Sequence, residues 1–175
     1  MIAILLALAF IALLFIIVLA GQPDEFTVSR STKISAPPEK VFSEVNDLQQ
    51  WEAWSPWAKL DPNAKVTFEG PAPGVGAAMA WKGNNKVGAG KMTITESRPG
   101  EIVGLRLDFE KPMKATNAVD FAFRSECGQT VVVWTMAGKN SFAGKVFGLF
   151  MNCEQMCGGQ FEKGLASLKT VAEVR

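Results

Sequence analysis

MKATNAVDFAFRSECGQTVVVWTMAG, residues 113–138, reads as two strands and the turn between them. Val119, Phe121 and Phe123 oppose Asp120, Ala122 and Arg124, and beyond ECGQ, Val132, Trp134 and Met136 oppose Val133 and Thr135. Successive side chains of a strand point to opposite faces, so this alternation predicts strands with one apolar face. A connection this short makes the two neighbours antiparallel. An antiparallel sheet of this kind needs another element to bury its apolar side.

Working outward, four upstream stretches repeat the pattern: AKVTFEG (64–70), VGAAMAWKG (75–83), GKMTITESRPG (90–100) and EIVGLRLDFEKP (101–112). In the last of these, Val103, Leu105, Leu107 and Phe109 share a face opposite Gly104, Arg106 and Asp108. GPAPG, GNNK, RPG and KP lie between the stretches, and such Gly, Pro and Asn clusters are turn chemistry. EFTVSRSTKIS (25–35), rich in Thr, Val and Ser, adds a strand near the start, so seven are expected. Between it and the meander, APPEKVFSEVNDLQQW (36–51) reads as a helix. Pro37 and Pro38 suit its first turn, Glu39 suits its positive end, and Val41, Phe42, Val45 and Leu48 fall at helical spacing. A short second helix carries Leu48 to Trp54, and Pro56 ends it because proline lacks the N–H a helix needs.

The other end of the chain changes period. Phe150, Cys153, Met156, Cys157, Phe161, Leu165, Leu168 and Val171 recur at three and four, which predicts a long amphipathic C-terminal helix, entered through a shorter one at 142–150. This helix is the element large enough to cover the sheet. Gly158, Gly159 and Gly164 lie inside it, each costing about 1 kcal/mol relative to alanine. They predict a kink or a close approach of the helix backbone to something else.

Composition narrows the chemistry. Eighteen Lys and Arg against 17 Asp and Glu leave a net charge of +1, which gives no electrostatic case for a nucleic-acid partner. The chain has no histidine and no tyrosine, which removes the usual general base, the commonest metal ligand and every Ser-His or Cys-His dyad. Cys127, Cys153 and Cys157 do not form a disulfide framework, and a zinc site would need ligands that histidine cannot supply here. No metal and no cofactor is expected. GPAPGVG and GNNKVGAG lack the strand-to-helix setting of a phosphate loop and read as hairpin turns.

MIAILLALAFIALLFIIVLA, residues 1–20, is apolar throughout and carries no charge. Twenty helical residues span about 30 Å, the thickness of a bilayer's hydrocarbon core. The expectation is a transmembrane anchor over 1–21, with membrane localisation, followed by one domain over 26–175. The alternative is a secretory signal with Val18-Leu19-Ala20 as its cleavage site and a secreted product.

ISAPPEKVF (34–42), WEAWSPW (51–57) and QFEKGLASLK (160–169), in this element order, resemble the START-like helix-grip superfamily, in its SRPBCC or polyketide cyclase/dehydrase-like branch. The resemblance covers about residues 26–172. It implies an α+β fold, a curved seven-stranded antiparallel sheet wrapped around a long C-terminal helix, with a cavity between them for a hydrophobic small molecule or lipid. In that layout WEAWSPW closes one end of the groove, which places Trp51, Trp54 and Trp57 at its mouth or packed beneath it. Met79, Met92, Met136 and Met156 suit an adaptable wall. Leu107, Phe109, Phe121 and Phe161 lie on the apolar faces, and Trp81 and Trp134 are expected to face inward. Glu96, on the alternation of Met92 and Ile94, and Asn117, on that of Val119 and Phe121, are the candidate polar groups. Two further functions fit the resemblance: a cyclase or dehydratase acting on a polyketide-like or aromatic substrate with Glu96 as acid/base, and an interaction module like the co-chaperone activators of this fold.

Overall fold

In the computed structural model, which describes residues 2–150 and 153–174, the chain runs α1 (Ile2–Ala20), β1 (Glu25–Ile34), α2 (Pro38–Asn46), a 3-10 turn (Leu48–Gln50) and α3 (Trp51–Trp54). The meander follows: β2 (Lys65–Glu69), β3 (Ala78–Lys82), β4 (Ala89–Arg98), β5 (Ile102–Lys111), β6 (Ala115–Glu126) and β7 (Gln129–Lys139). Two helices end it, α4 (Phe142–Phe150) and α5 (Cys153–Val174).

The tight turn at ECGQ sets the register of β6 and β7. Glu126 pairs with Gln129, so the loop is only Cys127 and Gly128, with φ of 50° and 80°. Two residues at positive φ form the hairpin turn whose twist matches that of the strands. From that register Phe121 stands opposite Trp134 and Val119 opposite Met136. Every neighbouring pair is antiparallel, and the sheet order is β1-β7-β6-β5-β4-β3-β2. β1 and β2 are consecutive in sequence yet form opposite edges, with α2 and α3 on the connection between them.

Helix α5 packs over β1 and against α2 and α3. Phe161, Leu165, Leu168 and Ala172 are its buried stripe. Phe161 stacks flat on Trp134, ring centres 4.2 Å apart and planes 5° off parallel. At the β1 edge, Arg30 donates from Nε to Glu162 at 2.7 Å and from Nη2 to Glu154 at 2.8 Å. The close approach expected of the α5 glycines is present at two of the three. A Cβ at Gly158 would meet the Arg30 guanidinium, and one at Gly164 would lie 2.7 Å from Trp134 Cζ3 and 3.0 Å from Pro56 Cδ. Among the described residues, a Cβ at Gly159 would meet nothing within 4 Å. The side chain of Cys153 lies outside the described residues.

The N-terminal segment departs from expectation. Among the described residues no helix is long and apolar enough to cross a membrane. The transmembrane anchor over 1–21, and the membrane localisation drawn from it, are therefore overturned. Helix α1 has 19 residues, about 28 Å at 1.5 Å per residue, short of the roughly 30 Å core. Leu19 in its last turn is also buried, and α1 lies beside α4. Beyond it, Asn140 donates to the carbonyls of Pro23 and Asp24, and Lys145 pairs with Asp24 at 2.6 Å.

The two kinds of glycine in α5 predict opposite outcomes. Gly159→Ala should stabilise the fold by up to about 1 kcal/mol, because alanine favours helix and meets no neighbour. Gly164→Ala should destabilise by about 1–3 kcal/mol, because the methyl meets a rigid ring and a proline rather than a flexible chain end. Urea denaturation of both variants checks the contrast, and a stabilising Gly164→Ala would refute the close packing.

Candidate functional site

Beneath α3 and the loop after it lies a cavity of about 640 Å³, bounded by the inner face of β2–β7 and by Phe161 of α5. It forms where α5 does not reach. Its floor is Trp134, Phe161, Met136 and Val119, and its far wall is Met79, Met92, Leu105, Leu107, Trp81 and Phe109. Trp81 sits edge-on to Phe109 at 5.9 Å. It does so over Gly90, its cross-strand partner, where a Cβ would come within 2.7 Å of the indole. Val66 and Phe68 of β2 also line the cavity while remaining about half exposed, at 45% and 48%, which marks that side as open. Polar groups gather around the lining: Glu52 from α3, Asp61, Asn85 and Lys86 from loops, and Lys111 from the end of β5.

WEAWSPW supplies the roof. Trp51 and Trp54 contact each other at 4.6 Å, the spacing of three on a helix turn, and both lie edge-on to Phe121 and Trp134. Pro56 then turns the chain against Gly164, and Trp57 lands edge-on to Trp134 and Phe161. Trp51 donates its indole N–H to the Val45 carbonyl at 2.8 Å and Trp54 to that of Glu44 at 3.1 Å. These bonds pin α3 to the C-terminal end of α2. Trp51 and Trp57 line the cavity, whereas Trp54 is fully buried behind it.

Ten of the residues singled out in the sequence line the cavity: Trp51, Trp57, Met79, Trp81, Met92, Leu107, Phe109, Trp134, Met136 and Phe161. Five do not. Trp54 and Phe121 are packed solid in the core. Asn117 faces inward and is buried, but it sits against Met136 and over Gly138, away from the cavity wall. Met156 is 46% exposed. It precedes Phe161 by five residues, about 140° around the helix from the buried stripe.

Glu96 is corrected by a β-bulge. Ile94 pairs with Leu105 and Glu96 with Gly104, so Thr95 is the extra residue and the alternation slips by one. Glu96 lands on the outer face, where it pairs with Arg98 at 2.9 Å. There it lies near Asp120 across Gly104. Burial, and then the charge of Glu96, raise the Asp120 carboxyl above its usual range.

Residues 25–173 match the family described as polyketide cyclase / dehydrase and lipid transport. The chain belongs to this family. No curated protein matches it by sequence. Solved structures share the fold of this family member at low identity. The Aha1 dimer from Colwellia psychrerythraea is similar at 19% identity and a TM-score of 0.61, covering 85% of this chain and 97% of that one. Protein CV1439 from Chromobacterium violaceum is similar at 16% and 0.59, covering 87% and 99%. Protein MLL2253 from Mesorhizobium loti is similar at 18% and 0.59, covering 83% and 98%.

The outer-face carboxylates predict a pH dependence. A raised folded-state value means that Asp120 favours folding while protonated, below the unfolded carboxylate value of about 3.9, and that this contribution is lost as pH rises through the raised value. Asp120→Asn should therefore be more stable than the wild type at neutral pH, and the difference should shrink toward about pH 3. Parallel urea titrations at the two pH values measure it. A variant less stable than wild type at neutral pH would contradict the repulsion.

Proposed function

We propose that this chain binds a hydrophobic small molecule or lipid in the cavity, with residues 26–175 as the binding unit. The observation that carries this reading is the cavity itself: about 640 Å³, walled by aromatic, aliphatic and thioether side chains and open along β2. A pocket of this size and lining takes a drug-sized apolar ligand, and its few polar groups lie where a ligand's polar end would meet water. The family description, with lipid transport in it, agrees with such a ligand. Met79, Met92 and Met136 are unbranched and polarisable, which suits a wall that adapts to its contents.

A cyclase or dehydratase needs an acid or base at the reacting atoms. Glu96 is on the wrong face for that role. Of the carboxylates near the cavity, Asp61 already accepts from the backbone N–H groups of Asn63 and Asn84. Binding needs no such group, so the apolar lining supports it better than it supports catalysis.

Titration with oleic acid, cholesterol and a polycyclic aromatic should change the tryptophan emission for at least one of them, because Trp51, Trp57, Trp81 and Trp134 all border the cavity. Native mass spectrometry should show the corresponding complex. Met92→Arg should weaken that binding about tenfold or more, by placing a charge in the apolar wall. Met92 is only half-buried, and an arginine there can reach water, so the variant's melting curve should stay near wild type. Folded protein that shows neither an emission change nor a complex with any of the three would refute the binding reading.

A further inference from the structure

The buried tryptophans of this chain are not treated alike. The indole N–H groups of Trp51, Trp54 and Trp81 each donate to a backbone carbonyl, from Val45, Glu44 and Val87. Trp134 is 2% exposed, and its Nε1 is buried without a hydrogen-bond partner among the described residues. Buried indole nitrogens are ordinarily paired, so this one calls for an explanation. Trp134 lies on the cavity floor. Its ring packs against Phe161, centres 4.2 Å apart, and Phe121, at 4.6 Å, and neither ring carries a polar atom. Its Cζ3 corner faces Gly164. Nε1 is at the other end of the indole, directed away from that contact with α5.

We infer that Trp134 Nε1–H is the polar anchor of the cavity, and that the ligand is an apolar molecule with a hydrogen-bond acceptor, a carbonyl or carboxyl oxygen, on its buried end. This rests on the binding reading above and adds to it the ligand's chemistry. One directed donor in an apolar pocket is how such sites fix orientation. The nitrogen is sealed from water-sized contact by its neighbours, so the acceptor reaches it by displacing a side chain. Met136, on the same strand face two residues along, is the pliable neighbour available to yield.

The test uses two probes of the same shape, 2-acetylnaphthalene and 2-isopropenylnaphthalene, which differ by C=O against C=CH₂. Transfer from water favours the hydrocarbon, so a preference for the ketone reports a hydrogen bond. Calorimetric titration of the wild type should give about tenfold tighter binding of the ketone. In Trp134→Phe the preference should vanish or reverse. A measurement on the wild type alone reads the same contact: in ¹H–¹⁵N spectra the Trp134 indole proton should move downfield with the ketone and not with the hydrocarbon. Equal binding of the two probes, a preference for the hydrocarbon, or a ketone preference that survives in Trp134→Phe would overturn the anchor and leave the cavity reading intact. Failure of both probes to bind would overturn the anchor, and the cavity reading falls with it only if oleic acid, cholesterol and the polycyclic aromatic also fail to bind.

Discussion

A seven-stranded sheet at about 4.8 Å per strand is about 29 Å wide, whereas a helix with its side chains is only about 10–12 Å across. One helix cannot bury that face, and the rest of the structure follows from the shortfall. Helix α5 takes the β1 side, where Arg30 grips Glu154 and Glu162 and Phe161 lies on Trp134. Helix α2 packs against part of β5, β6 and β7, and the rest of the apolar face is left without direct helix cover. The segment from α3 to β2 bridges part of the gap, and the cavity is what the bridge does not fill.

The aromatic stretch WEAWSPW is what makes that bridge stand. Trp54 does not reach the cavity: it is sealed against Phe121 and Trp134 and tied by its N–H to α2. Trp51 packs the same cluster on one side and borders the cavity on the other. Trp57, beyond Pro56, borders it too and lies against Phe161. Tryptophan suits such a place because one side chain offers a large apolar body and a donor that ties it down. The carbonyls that accept these N–H groups belong to Glu44 and Val45, at the end of α2. Few side chains thus hold the roof in place without filling the space beneath it.

Much of the site was legible because strand alternation is strict wherever register is unbroken. Leu107, Phe109, Trp134 and Met136 reached the cavity on that rule alone, and Leu105 and Val119 share their faces. The same rule misplaced Glu96, because a one-residue bulge at Thr95 reverses every side chain after it and leaves no mark in the sequence. It could not separate Phe121, packed solid, from Trp134 beside it, since both face inward and only the neighbours from α3 and α5 tell them apart. Lys86 comes from the turn between β3 and β4 and Lys111 from the end of β5, and no periodicity links them to a common rim.

The chain's own order of residues determined the elements, the antiparallel meander, the inward faces and the need for a kink or a close approach at α5. These are local or nearest-neighbour properties, set by side-chain period, turn chemistry and the cost of glycine in a helix. The tertiary structure alone decided how far α5 covers the sheet, where the bulge falls, and that, among the described residues, Gly159 has open space while Gly158 and Gly164 do not and one buried indole lacks a partner. Each of those depends on distances between groups far apart along the chain. Such distances follow from how the layers close on one another, which no local pattern specifies.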